Sequence, residues 1–250
     1  MSFAADSPLV AQLRASPNFE PRRGGPADML ILHYTGMASA QEALERLCDA
    51  ASKVSSHYFV FEDGRCLQLV AETARAWHAG ASSWKGETDI NSRSIGIEIA
   101  NPGHDGGYPD FPETQMAAVT ALCADIVARN AIPAARVLGH SDVAPGRKSD
   151  PGEKFDWARL ARAGAGVYRQ AEPLAAGPVL ATGSSGGDVE DLQRNLARIG
   201  YGIEASGHFD AATLSVVAAF QRHFRPELVD GRADISTIMT LKKLLPAFSK

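Results

Sequence analysis

Between Met29 and Leu32 the chain runs Met-Leu-Ile-Leu without a polar break, and the run ends on His33 with Gly36 close behind. Such a short apolar run predicts a buried strand whose last residue emerges at the sheet edge. The spacing then changes. Ala40, Ala43, Leu44 and Leu47 recur at helical intervals behind Ser39, a residue suited to cap a helix, with Glu42 three positions on, which predicts a surface helix. Apolar Tyr58 to Phe61, the turn residues Glu62-Asp63-Gly64 and the returning Cys66, Leu67 and Leu69 predict a hairpin. Ile95, Ile97 and Ile99 alternate with Gly96 and Glu98, so the spacing predicts a strand carrying one carboxylate on the face opposite its isoleucines. A stripe of Met116, Val119, Leu122, Cys123, Ile126 and Val127 predicts a long helix from about Pro112 to Asn130, and Val137-Leu138 a short strand that delivers His140. Strands mixed with helices, one pair forming a hairpin, give an α/β class with a mixed β-sheet flanked by helices.

Beyond this unit the composition shifts to small residues, prolines and glycines. Residues 1–171 read as one domain and 172–187 as a linker. In 188–250, Val189, Leu192, Leu196 and Ile199 form one helical stripe, Val216, Val217 and Phe220 a second, and Ile238, Leu241, Leu244 and Leu245 a third. A small three-helix domain is expected there.

Charge and cysteine content narrow the partners. With 45% hydrophobic and 22% charged residues among 250, the chain has the apolar mass for a real core. A net charge of −4 gives no reason to expect a polyanion. The last 63 residues hold eight basic and eight acidic side chains, so a helix-turn-helix contacting nucleic acid is disfavoured. Cys48, Cys66 and Cys123 are widely spaced and odd in number, against a disulfide framework. The first 25 residues lack a basic segment followed by an unbroken apolar core, and no stretch approaches the roughly 20 apolar residues of a membrane span. A cytoplasmic protein is the expectation as encoded, and a monomer.

One loop stands out: Gly139 to Gly152, GHSDVAPGRKSDPG, concentrates His140, Asp142, Arg147, Lys148 and Asp150 between glycines and prolines. Residues at strand ends converge in space, so His33, His140 and a returning Asp150 make a candidate metal site. Two imidazoles and a carboxylate suit zinc, and three protein ligands leave a fourth position for water. Taken singly, each of these residues fits a structural hydrogen-bonding role better. Asp142 and Arg147 are expected to face solvent, His104 likewise, His57 to serve a structural or ligand-orienting role, and His78 to line a cleft wall. Trp77 and Trp84 read as core or cleft packing.

The motifs LILHYTG, SHYFVFEDG, WHAG, SIGIEIAN and GHSDVAPGRKSDPG resemble, in order, those of the zinc-dependent N-acetylmuramoyl-L-alanine amidases of the amidase-2 type, the group that includes the AmpD and AmiD enzymes. Phage T7 lysozyme and the peptidoglycan recognition proteins share the fold so implied. The resemblance covers roughly residues 25 to 160. It implies His33, His140 and Asp150 as zinc ligands, with Glu98 and Lys148 as catalytic residues. The implied substrate is peptidoglycan or a muropeptide, cut between N-acetylmuramic acid, or its 1,6-anhydro form, and L-alanine. The last region, with DVEDLQRNL, GHFDAAT and FQ, resembles the peptidoglycan-binding type 1 domain. That points towards the cell envelope and conflicts with the cytoplasmic expectation. The alternative function is a non-catalytic peptidoglycan receptor on the same fold, a class that typically lacks a ligand missing nowhere here.

Overall fold

The computed structural model describes residues 3–248. Among them the chain builds β1 (Gln12–Leu13), β2 (Phe19–Pro21), β3 (Met29–Tyr34), α1 (Ala40–Cys48), β4 (Tyr58–Val60), β5 (Cys66–Gln68), β6 (Ala74–Ala76), α2 (Ile90–Arg93) and β7 (Ser94–Ile99). There follow α3 (Glu113–Asn130), β8 (Val137–Gly139), α4 (His140–Val143), α5 (Trp157–Arg162), α6 (Gly187–Ile199), α7 (Ala211–Phe224) and α8 (Ile235–Phe248).

The main sheet has the order β1-β5-β4-β7-β3-β8. β4, β7, β3 and β8 run parallel to one another, while β4 and β5 form the antiparallel hairpin. The sheet is therefore mixed, as the patterns predict. β3 and β7 are adjacent inner strands and are buried almost throughout, as their apolar runs require. Where the sequence leads one to expect helices, local chemistry starts them: Ser39 Oγ accepts from the Glu42 N–H at 3.2 Å at the head of α1.

Alternation along the strands divides the core. Leu30, Leu32, Ile95, Ile97 and Ile99 face α3 through Val119, Leu122 and Ile126. Met29 and Ile31 face the other way, where with Leu138, Val143 and Trp84 they pack in one cluster with Leu196, Phe220 and Leu244 of the C-terminal helices. α6 to α8 thus cover the underside of β3 and β8. Of the expected linker, Gly187 already opens α6, and residues 172–186 are irregular but pinned at several points: the Glu172 N–H donates to Thr240 Oγ1 at 2.9 Å, Ser236 Oγ donates to the Glu172 carbonyl at 2.6 Å, and Leu180 bridges Ala233.

Candidate active site

The sequence motifs converge at the C-terminal ends of the central parallel strands. His33, next to last on β3, is the register partner of Glu98 on β7. His140 follows β8 directly and opens α4. Asp150 is brought back by the loop between them, closed by the Ser141 N–H donating to the Asp150 carbonyl at 2.9 Å. These residues, with Lys148, Tyr34 and Trp77, line a cleft of about 530 Å³.

Three side-chain atoms form a nearly equilateral triangle. His33 Nδ1 lies 2.9 Å from His140 Nδ1, and each lies 3.0 Å from Asp150 Oδ2. All three residues are buried. The surrounding hydrogen bonds decide where the imidazole protons sit. Ser94 Oγ gives its proton to the Ile90 carbonyl at 2.6 Å, so it accepts from His78 Nε2 at 3.2 Å. His78 Nδ1 is then an acceptor, filled by His33 Nε2–H at 3.0 Å. On the other ring, His140 Nε2 lies 3.3 Å from Arg147 Nη2, whose two N–H groups are taken by the Ala79 and Ala81 carbonyls at 2.6 and 2.8 Å, so His140 Nε2–H donates to the Ala79 carbonyl at 3.0 Å. Both Nδ1 atoms therefore carry lone pairs, and both point at a carboxylate oxygen. Three acceptors within about 3 Å of one another repel unless a cation lies among them, and nitrogen and carboxylate ligands at roughly 2.0–2.2 Å from one zinc ion span a triangle of this size. The donor set fits a divalent metal.

Electrostatics favour the same protonation states. Burial, then the neighbouring His140, pushes the His33 imidazole down to about 4, which keeps it neutral and ligating at neutral pH. Glu98 is pushed the other way. Burial and then the Asp150 charge raise its carboxyl well above the ordinary value, against the opposing Lys148 ammonium. Among the described residues no hydrogen-bond partner meets its inward oxygen, Oε2. A carboxyl so placed moves protons readily.

The remaining sequence expectations resolve individually. His78 lines the cleft, but its ring is buried and links the His33 imidazole to Ser94, a connection the sequence does not announce. One trace of it was present: Gly96 interrupts the isoleucines, and a Cβ there would come within 2.6 Å of the His78 ring. His57 is structural. Its Nδ1 accepts from the Gly96 N–H at 2.9 Å, its Nε2 faces the Ala74 carbonyl at 3.1 Å, and burial, then Arg22, pushes it down to about 3. His104 is exposed at the cleft border, tied to Tyr34 at 2.9 Å and to Glu153 at 3.1 Å. Trp77 lines the cleft and Trp84 is buried in the core.

The outward reading of Asp142 is wrong. It is fully buried, its Oδ2 accepting from the Gly139 N–H at 2.8 Å and from His223 Nδ1 at 2.7 Å, and its Oδ1 from the Tyr201 hydroxyl at 2.7 Å. A loop carboxylate with three donors is stable out of water, and two of those donors lie far along the chain. Arg147 departs from expectation in part: the residue is exposed, yet its guanidinium is bound to the Ala79 and Ala81 carbonyls at 2.6 and 2.8 Å.

The family profile described as N-acetylmuramoyl-L-alanine amidase matches residues 23–153, which hold the triangle, Glu98 and Lys148. The chain belongs to that family. A second profile, described as a putative peptidoglycan binding domain, matches residues 185–241 of the amidase. The amidase is 36% identical to N-acetylmuramoyl-L-alanine amidase AmiD of Escherichia coli (strain K12) over 234 residues, 89% of this chain and 83% of that one. It is 43% identical to the 1,6-anhydro-N-acetylmuramyl-L-alanine amidase AmpD of the same organism over 112 residues, 43% of this chain and 57% of that one. Among solved structures it is similar to E. coli AmiD in complex with the substrate anhydro-N-acetylmuramic acid-L-Ala-D-γ-Glu-L-Lys. That match has a TM-score of 0.76 and 36% identity, and it covers 94% of this chain and 93% of that one. AmpDh3 from Pseudomonas aeruginosa in complex with anhydromuramic pentapeptide matches with a TM-score of 0.70 and 30% identity, covering 97% and 96%. The amidase is a hydrolase of the bond between N-acetylmuramic acid and L-alanine in peptidoglycan material, with a peptidoglycan-binding domain attached.

Proposed function

We propose that the amidase is a zinc enzyme that releases the stem peptide from soluble 1,6-anhydromuropeptides, with His33, His140 and Asp150 as ligands and Glu98 and Lys148 as catalytic residues. The observation that carries this reading is the triangle of three unprotonated ligand atoms beside a carboxyl of raised proton affinity. The anhydro form is favoured because the AmiD and AmpDh3 structures similar to this chain hold anhydromuramyl peptides.

Zinc in the triangle would supply Lewis acidity, lowering the pKa of water towards about 7 and polarising the scissile carbonyl. The protein does the rest. Glu98 accepts a proton from the attacking water as its oxygen bonds to the carbonyl carbon, then passes that proton to the alanine nitrogen as the C–N bond breaks. Lys148, on the exposed rim of the loop, places a fixed positive charge where the carbonyl oxygen becomes negative. His78 and the Ala79 carbonyl orient the two imidazoles so that their lone pairs meet.

The test is peptide release from a purified anhydromuropeptide and from intact sacculi by the same preparation, with and without chelator. The reading expects zinc-dependent turnover that is faster on the soluble fragment. Turnover confined to sacculi overturns the substrate assignment, and turnover unchanged after complete metal removal overturns the zinc assignment.

A further inference from the structure

Asp142 sits two residues after one proposed ligand, in the short helix that the ligand opens. Its Oδ2 bonds the N–H of Gly139, the residue before His140, so its carboxylate fixes the backbone turn from which His140 projects. The same turn is tied to the far end of the loop by the bond from the Ser141 N–H to the Asp150 carbonyl. Anything that sets Asp142 therefore sets two of the three metal ligands.

What sets Asp142 comes from the C-terminal helical region. Tyr201, just after α6, donates its hydroxyl to Oδ1, and His223 of α7 donates Nδ1–H to Oδ2, both at 2.7 Å. Each donor is itself held. The His223 ring stacks on Trp157 at 3.7 Å between centroids, and Tyr201 packs edge-on to Trp84 at 5.1 Å. The Lys85 N–H donates to the Gly200 carbonyl at 2.8 Å, locking the segment that carries Tyr201. Asp142, Tyr201 and His223 are all buried, so no solvent competes for these bonds.

We propose that Tyr201 and His223 are positioning residues for the metal centre: through Asp142, the peptidoglycan-binding domain holds the ligand loop in its metal-competent shape. The domain is then a structural part of the active site as well as a wall-binding module. The proposal rests on the reading of His33, His140 and Asp150 as a zinc site, and its test separates the two.

The experiment measures zinc affinity of the full chain by chelator competition, and amide hydrogen exchange across residues 139–150 in metal-free protein. The variants are Tyr201→Phe, His223→Leu, the pair together, and His223→Asn, whose amide keeps a donor near the Nδ1 position. Gln193→Ala serves as a control, because Gln193 bonds Gly207, His208 and Thr213 within the C-terminal region and does not touch Asp142. We expect zinc binding about tenfold weaker or more in the double variant, in the range known for residues that support metal ligands. Exchange at 139–150 should be faster, His223→Asn should recover most of the loss, and Gln193→Ala should lower the melting temperature with zinc affinity unchanged. Should the double variant fail to fold, Tyr201→Phe, which removes a single oxygen, carries the same expectation at smaller size. Zinc affinity and loop exchange like wild type in Tyr201→Phe and His223→Leu overturn the proposal. Wild-type protein that binds no zinc overturns the metal reading, and this inference falls with it.

Discussion

His33 and Glu98 are cross-strand partners at the ends of two adjacent parallel strands, β3 and β7. Register alone puts the imidazole proposed to bind metal and the carboxyl proposed to carry the proton on one face of the sheet, with no loop intervening. Glu98→Gln keeps the shape and removes the proton acceptor. The expected result is a fall in kcat of about 10²–10⁴ with zinc content unchanged. Metal analysis alongside steady-state kinetics checks it, and a variant within threefold of wild type assigns the proton transfer elsewhere.

Lys148 has a different job and should fail differently. Lys148→Met removes the charge with little change in bulk, and it should lower kcat by about 10²–10³, equivalent to roughly 3–4 kcal/mol of transition-state stabilisation. The position should retain zinc. A rise in KM with kcat unchanged would mean that the ammonium binds substrate and does not stabilise the reacting oxygen.

Ser94 lies two hydrogen bonds from the metal triangle. Ser94→Ala deprives His78 Nε2–H of its acceptor and frees the ring to change tautomer, which would turn a proton towards His33 Nε2. Zinc affinity should drop about 10–100-fold. Chelator competition reads this directly, and unaltered affinity would show that His33 keeps its tautomer without the relay.

His57 gives a pH prediction that the metal does not enter. Its Nδ1 accepts the Gly96 N–H, so protonation there would set two donors against each other. Its pKa is about 3 in the folded protein against an ordinary 6.5, so the unfolded chain takes up the proton first. The stability this group contributes is complete above pH about 6.5 and is lost as pH falls towards 3, at up to about 1.4 kcal/mol per pH unit inside that window. His57→Asn keeps an acceptor but no titratable group. Denaturant unfolding between pH 4.5 and 7 should show a pH slope smaller in the variant by a difference that grows towards one proton at the acid end, and equal slopes would contradict the assignment.

The sequence made much of the site legible for identifiable reasons. His33 and His140 close apolar runs, and residues that end buried strands have few places to go except the sheet edge. Glu98 is readable because its neighbours alternate: three isoleucines commit one face and leave the carboxylate to the other. The Asp142 environment was not readable, because its partners lie 59 and 81 residues away and local composition cannot distinguish a solvated carboxylate from one capped by another domain. The same holds for the underside of β3, where Met29 and Ile31 identify a buried face without naming the C-terminal helices that bury it. β1 escaped for the opposite reason, since a two-residue exposed edge strand carries no periodicity to detect.

The most direct test of the central claim is zinc binding measured on wild-type protein, His140→Ala and Asp150→Asn, each stripped of metal and reloaded, with anhydromuropeptide cleavage followed on the same samples. The account predicts one zinc per wild-type chain, activity that disappears on stripping and returns in proportion to zinc bound, and neither tight binding nor activity in the two variants. Full activity in a stripped wild-type protein, or stoichiometric tight zinc in Asp150→Asn, would contradict it.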